Sequence, residues 1–169
     1  MRIPVVAVLL ALASAAVHAQ SLQEAFGVPA RKPVDSYVFV STKLPDATLI
    51  ALARDAQRSG STLVLNGYMT AGATGMKDTT RRVLEISRIC CGEKVPHWQV
   101  NPLLFQRYRV ATVPAFVLAK GTGTNHADYT KVTGEMGLSN ALKFVAQESK
   151  NADLVKAATA IYTRSYATQ

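Results

Sequence analysis

The stretch from Asn101 to Leu118, NPLLFQRYRVATVPAFVL, constrains the fold more than any other, because it must hold a helix, a break and a buried strand in close succession. Pro102 stands where a helix tolerates proline best, and Leu103, Leu104, Phe105 and Tyr108 then give an apolar face at helical spacing. Arg109 and the β-branched run after it end the helix. Pro114 has no N–H to donate and pushes the residue before it into an extended conformation, so Val113-Pro114 must lie at a strand's very start or edge. Ala115 to Ala119 reads as a buried strand.

The chain has 169 residues, 49% of them hydrophobic and 18% charged, which is room for one ordinary domain with a real core. Its first residues, MRIPVVAVLLALASAAVHA, join one arginine to an apolar stretch from Ile3 to about Ala16 and end on small residues, the pattern of a secretory signal peptide cleaved after Ala19. An uncleaved anchor would need about 20 apolar residues, and Ser14 and His18 dilute the end of this run. No later segment is long and apolar enough to span a bilayer, so the expectation is a soluble protein with no membrane span after signal cleavage, exported to a bacterial periplasm.

Lys plus Arg number 19 against 11 acids, and losing Arg2 with the signal leaves 18 − 11, about +7. The charges are scattered, with no basic run longer than the pairs Arg31-Lys32 and Arg81-Arg82 and no basic stripe or stacking motif, so no direct nucleic-acid contact is expected. Such a face suits an acidic partner protein or anionic lipid instead.

The boundaries follow from composition and periodicity: residues 1–19 as signal peptide, 20–35 as a flexible arm with Gly27, Pro29 and Pro33, 36–148 as the domain, and 149–169 as a C-terminal helix and tail. Ser36 to Ser41 reads as a central strand. A helix runs from Pro45 to Ser59, with Leu49, Leu52, Ala53 and Ala56 on one face and Gly60 at its C-terminal stop, and Thr62 to Leu65 is a second strand. The short connections make these strands a parallel pair.

A glycine-rich connector then leads to a helix over Met76 to Cys91. It is no phosphate cradle, since Gly72-Ala73-Thr74-Gly75-Met76-Lys77-Asp78 lacks the Gly-x4-Gly-Lys-Ser/Thr spacing. Trp98 to Val100 is a short strand, and Tyr129 to Val132 returns antiparallel to the strand after Pro114. Leu138, Ala141, Leu142, Val145 and Ala146 line a packing helix. The last helix, Ala152 to Tyr166, carries a weaker stripe that either docks on the domain or is offered to a partner, docking being the preferred reading.

Cys90 and Cys91 are neighbours, and adjacent Cα atoms about 3.8 Å apart are closer than disulfides usually allow. The preferred reading is one buried apolar thiol and one at the helix end before Gly92, with a bond to another chain left open. His97 and His126 lack metal-ligand spacing, there is no Gly-x-Ser-x-Gly elbow, and Glu85, Glu93 and Asp128 form no paired-carboxylate pattern. No metal, cofactor or catalytic group is expected.

The order of elements resembles the thioredoxin-like fold, an α/β mixed sheet flanked by helices, with a helical insertion and an extra C-terminal helix. It is most similar to periplasmic disulfide isomerases with such an insertion before the cis-proline segment. That resemblance implies that Pro114 is the cis-proline, beside the place where the enzymes carry a CxxC at the start of the first helix. Here that place reads Ser41-Thr42-Lys43-Leu44-Pro45, without the low-pKa thiolate that attacks substrate disulfides.

The segments FVSTKLP, LVLNGY, VNPLLFQRYRVATVPAFVLA and Tyr129 to Gly134 resemble the F-type conjugative-transfer TrbC family over roughly Tyr37 to Val145. The resemblance implies an exported thioredoxin-like protein of pilin assembly in type IV secretion, working beside a TraW-type partner and without a catalytic site. The expectation is therefore a non-enzymatic assembly factor whose groove at Thr112, Val113 and Pro114, opposite Leu44 and Pro45, takes an extended partner segment. The same residues serve equally as a loop merely fixed by a cis-proline. The alternative is a thiol-disulfide oxidoreductase, isomerase or disulfide-linked chaperone using Cys90 and Cys91.

Overall fold

The computed structural model of the protein describes residues 34–167; the expected signal peptide and nearly all of the N-terminal arm lie outside the described residues. In chain order the elements are β1 (Val34–Val40), α1 (Asp46–Ser59), β2 (Thr62–Leu65), α2 (Gly72–Cys91), β3 (His97–Val100), α3 (Pro102–Arg107), β4 (Ala115–Lys120), β5 (Tyr129–Thr133), α4 (Leu138–Glu148) and α5 (Ala152–Tyr166). The strands form one sheet in the order β3-β2-β1-β4-β5. β1, β2 and β3 are mutually parallel, whereas β4 runs antiparallel to both β1 and β5. Val113-Pro114 is a cis peptide immediately before β4. This strand order, with its polarity and its cis-proline, is the thioredoxin-like arrangement.

Both faces of the sheet are covered, and alternation along each strand decides which side chain goes where. Val38, Val40, Leu63, Leu65, Phe116 and Leu118 join a core shared with α1, α4 and α5. Tyr37, Phe39, Val64, Ala115, Val117 and Ala119 face the opposite way, toward Leu104, Phe105 and Tyr108 from α3 and its end. There Phe39 and Phe105 meet edge to face at 4.8 Å, Tyr37 lies 5.9 Å from Tyr108, and Tyr129 closes on Tyr108 at 5.0 Å. Of the apolar face expected on α3, Leu103 is the exception, 65% exposed, because a helix this short turns only part of its circumference to the sheet.

Three further expectations change. β1 begins at Val34 and not Ser36, because Val34 and Asp35 pair with Lys120 and Ala119 of the long neighbour β4. The glycine-rich segment is the first turn of α2 and no connector. A Cβ on Gly75 would sit 1.7 Å from the Thr70 carbonyl oxygen, and Thr79 Oγ1 donates to the Gly75 carbonyl at 2.7 Å while accepting from Met69 N–H at 2.8 Å. Glycine is what lets the loop fold back onto the helix there. Cys90 and Cys91 are bonded to each other, so the preferred reading of two separate thiols does not hold.

α2 lies against α1, where Arg82 bonds Asp46 across the helices and holds its carboxyl below the usual carboxylate range. α5 docks. Asn151 caps it, accepting from Asp153 N–H and Leu154 N–H, and Leu154 and Ala158 are fully buried. Arg164 and Ser165 then donate to the Ser59 and Arg58 carbonyls at the end of α1, at 3.2 and 3.3 Å.

Candidate functional site

At the C-terminal ends of β1 and β2 the connections diverge and leave a cleft of ≈ 440 Å³. Its floor is apolar, built from Val40, Leu65 and Phe105, the last held by its edge-to-face contact with Phe39. One wall is the β1–α1 turn, Ser41, Thr42 and Lys43. Leu44 N–H donates to the Ser41 carbonyl at 3.1 Å, and Ser41 Oγ accepts from Lys43 N–H at 3.2 Å, so the turn is tied to itself before Pro45 starts the helix.

Asn66 to Met69, after β2, make the second wall, with Tyr68 and Met69 largely exposed. Val110, Ala111 and Val113 make the third. Val110 N–H bonds the Phe105 carbonyl at 2.9 Å, Arg109 adopts φ 49°, and Lys131 Nζ donates to the Arg109 carbonyl at 2.6 Å. Lys43 is the one charged side chain among the lining residues. Below, burial pushes the pKa of the Tyr108 phenol up, and burial together with the Asp35 carboxylate pushes that of Tyr37 up, so both are held protonated.

The five residues expected to form the groove do not all line this cleft. Val113 lines the cleft, while Thr112 is exposed outside it. Pro114 is buried and turns to the other side, toward Ala47, Ala51 and Met136, and its carbonyl accepts from Gly134 N–H at 3.1 Å. Leu44 packs on the main core, and Pro45 sits exposed at the start of α1. The alternation that drives Pro114 inward leaves only the residue before it facing the opening. Among the described residues none hydrogen-bonds the peptide groups of Thr112 or Val113.

Sequence reasoning missed the Asn66–Met69 wall, whose signal is two large apolar side chains left exposed directly after a buried strand. The cleft presents hydroxyls, an amide, an amine and apolar surface, but no thiol, imidazole or carboxylate. That set can hold a chain by hydrogen bonds and contact. Cys90 and Cys91 lie at the far end of α2, outside it. His97 Nδ1 bonds Thr62 Oγ1 and His126 Nδ1 bonds the Tyr129 hydroxyl, both at 3.1 Å. Among the described residues no cluster of His, Cys, Asp and Glu could hold a metal ion, and no helix is long and apolar enough to cross a membrane.

Residues 38–145 match the family described as type-F conjugative transfer system pilin assembly protein, TrbC. No curated protein matches the sequence. Two solved structures superpose loosely. One is MTB dsbF in mixed oxidized and reduced forms, 13% identical, covering 76% of this chain and 80% of its own, with a TM-score of 0.40. The other is a secreted Mycobacterium tuberculosis disulfide oxidoreductase homologous to E. coli DsbE, 14% identical, covering 76% and 81%, with a TM-score of 0.38. So loose a superposition carries no argument about this chain, whose fold rests on its own strand order and cis-proline.

Proposed function

This chain belongs to the TrbC family of type-F conjugative transfer system pilin assembly proteins, and from that premise we propose that it works by binding and not by catalysis. Its role is then that of a periplasmic assembly factor that holds an extended segment of another transfer protein, of the TraW type, in the cleft beside Val113. The observation that carries this reading is the cleft itself: a hydrophobic floor, two walls that carry polar groups, an apolar third wall at Val110, Ala111 and Val113, and unengaged peptide groups at Thr112 and Val113, but Ser41, Thr42 and Lys43 in place of a reactive thiol. An extended chain can satisfy those peptide groups while its side chains fill the space over Phe105 and Val110. Thr112, outside the wall, contributes its backbone; Leu44, Pro45 and Pro114 shape the turns.

The mutual bond between Cys90 and Cys91 favours one second reading, a protein that exchanges that disulfide with a partner. The pair sits at the C-terminal end of a helix, where the dipole disfavours a thiolate, so it ranks below the cleft. Replacing both with serine while measuring disulfide reduction and pilus production separates the two readings. The cleft reading is tested by Val113→Glu in cells carrying the whole transfer system. A charge in the apolar wall is expected to abolish co-purification of the TraW-type partner and pilus production while circular dichroism stays unchanged. Undiminished co-purification would sink the proposal.

A further inference from the structure

The outward face of α2 breaks the rule that a surface helix turns polar residues to water. Gly75, Thr79, Ile86 and Ser87 are its buried positions, yet Met76, Leu84 and Ile89 are 52%, 55% and 56% exposed. These belong to two adjacent ridges of i, i+4 spacing, Met76-Thr80-Leu84-Arg88 and Lys77-Arg81-Glu85-Ile89, with an open furrow between them. Among the described residues its walls come from α2 alone.

The charges say what fits. Lys77, Arg81 and Arg88 flank the furrow against one carboxylate, Glu85, which already lies 3.7 Å from Arg82. Arg81 shares Asp78 at 2.8 Å, and Lys77 and Arg88 have no ion-pair partner among the described residues. A second copy packed antiparallel about the middle of the furrow would set Lys77 against Arg88, like charge on like. A lipid surface is a poorer match too, since Thr80 and Glu85 interrupt the apolar stripe and no aromatic side chain joins it.

We propose that this furrow is a second docking surface, separate from the cleft beside Val113, and that its occupant is an amphipathic helix of a partner protein carrying acidic residues beside its apolar ridge. Such a ridge settles between those of α2, covering Met76, Leu84 and Ile89, while its carboxylates reach Lys77, Arg81 and Arg88.

The test places photoreactive p-benzoylphenylalanine in place of Leu84 in the full chain, in cells carrying the whole transfer system, and maps the adduct by mass spectrometry. The expected adduct lies in an acidic amphipathic segment of another protein. The double variant Arg81→Glu/Arg88→Glu is expected to lower its yield by about tenfold or more, as like charges do across an interface. Val113→Glu, which disables the cleft, is expected to leave contact at Leu84 in place, so failure of one surface is distinguishable from failure of the other. Because all three α2 positions are exposed, these variants keep the fold, which circular dichroism checks. An adduct only with phospholipid, only with a second copy of this chain, none at all, or a yield indifferent to the charge reversal overturns the proposal.

Discussion

Leu154 is the position at which docking of α5 can be measured most directly. It is fully buried, one turn before the equally buried Ala158, in the core that α5 shares with α1, α4 and the sheet. Leu154→Ala removes three carbons, about 2.4 kcal/mol of transfer free energy at roughly 0.8 kcal/mol each. The neighbouring helix and strand are held by their own hydrogen bonds and cannot collapse fully into the space, so a cavity penalty raises the cost to about 3–4 kcal/mol. Against a stability of about 7–20 kcal/mol for a domain of this size, the variant still folds. Urea unfolding of the mature chain should show a lowered midpoint with an unchanged slope, and thermal unfolding a fall of roughly 10–15 °C. Lys156→Ala, on the exposed side of the same helix, should stay within about 0.5 kcal/mol of the parent. A loss below about 1 kcal/mol for Leu154→Ala would refute docking, because it would mean the side chain is not in the core.

Gly75→Ala should cost about 1–3 kcal/mol or more, since its Cβ would strike a backbone carbonyl that cannot rotate aside; a neutral result in the same urea titration would contradict the Thr70–Gly75 approach. The phenols of Tyr37 and Tyr166 are held protonated by burial, reinforced by Asp35 and Asp55 respectively. Their folded-state pKa lies above the unfolded one, so their contribution is fully present below about pH 10 and is lost as pH rises through the folded-state values. Phenolate absorbance should show these two tyrosines ionising only together with alkaline unfolding, and early titration of both would exclude the burial described.

Much of this fold was legible in the residues because its signals are local. Gly60 ends α1 in a left-handed conformation, φ 70°, as its place after a periodic run requires. Pro114 likewise announced a strand start, and the last helix was marked by the stripe through Leu154 and Ala158. The signals that misled were also local. Gly72 and Gly75 look like a loop, and only the carbonyl of Thr70, brought back onto the helix, shows why glycine is there. The candidate site was half legible: Val113 follows from Pro114, but the wall from Asn66 to Met69 depends on which strands become neighbours.

What the sequence determined by itself was the set of elements and the missing thiol after β1, because periodicity, caps and the identity of Ser41 to Pro45 are properties of the chain alone. The tertiary structure decided which surfaces those elements leave open. The cleft exists because β1, β2 and the cis-proline segment end side by side, and the furrow on α2 is outward because Ile86 and Val83, and not Leu84, meet α1 and the core. Long-range packing chooses among apolar residues that look alike in one dimension, and here that choice left Met76, Leu84 and Ile89 facing water.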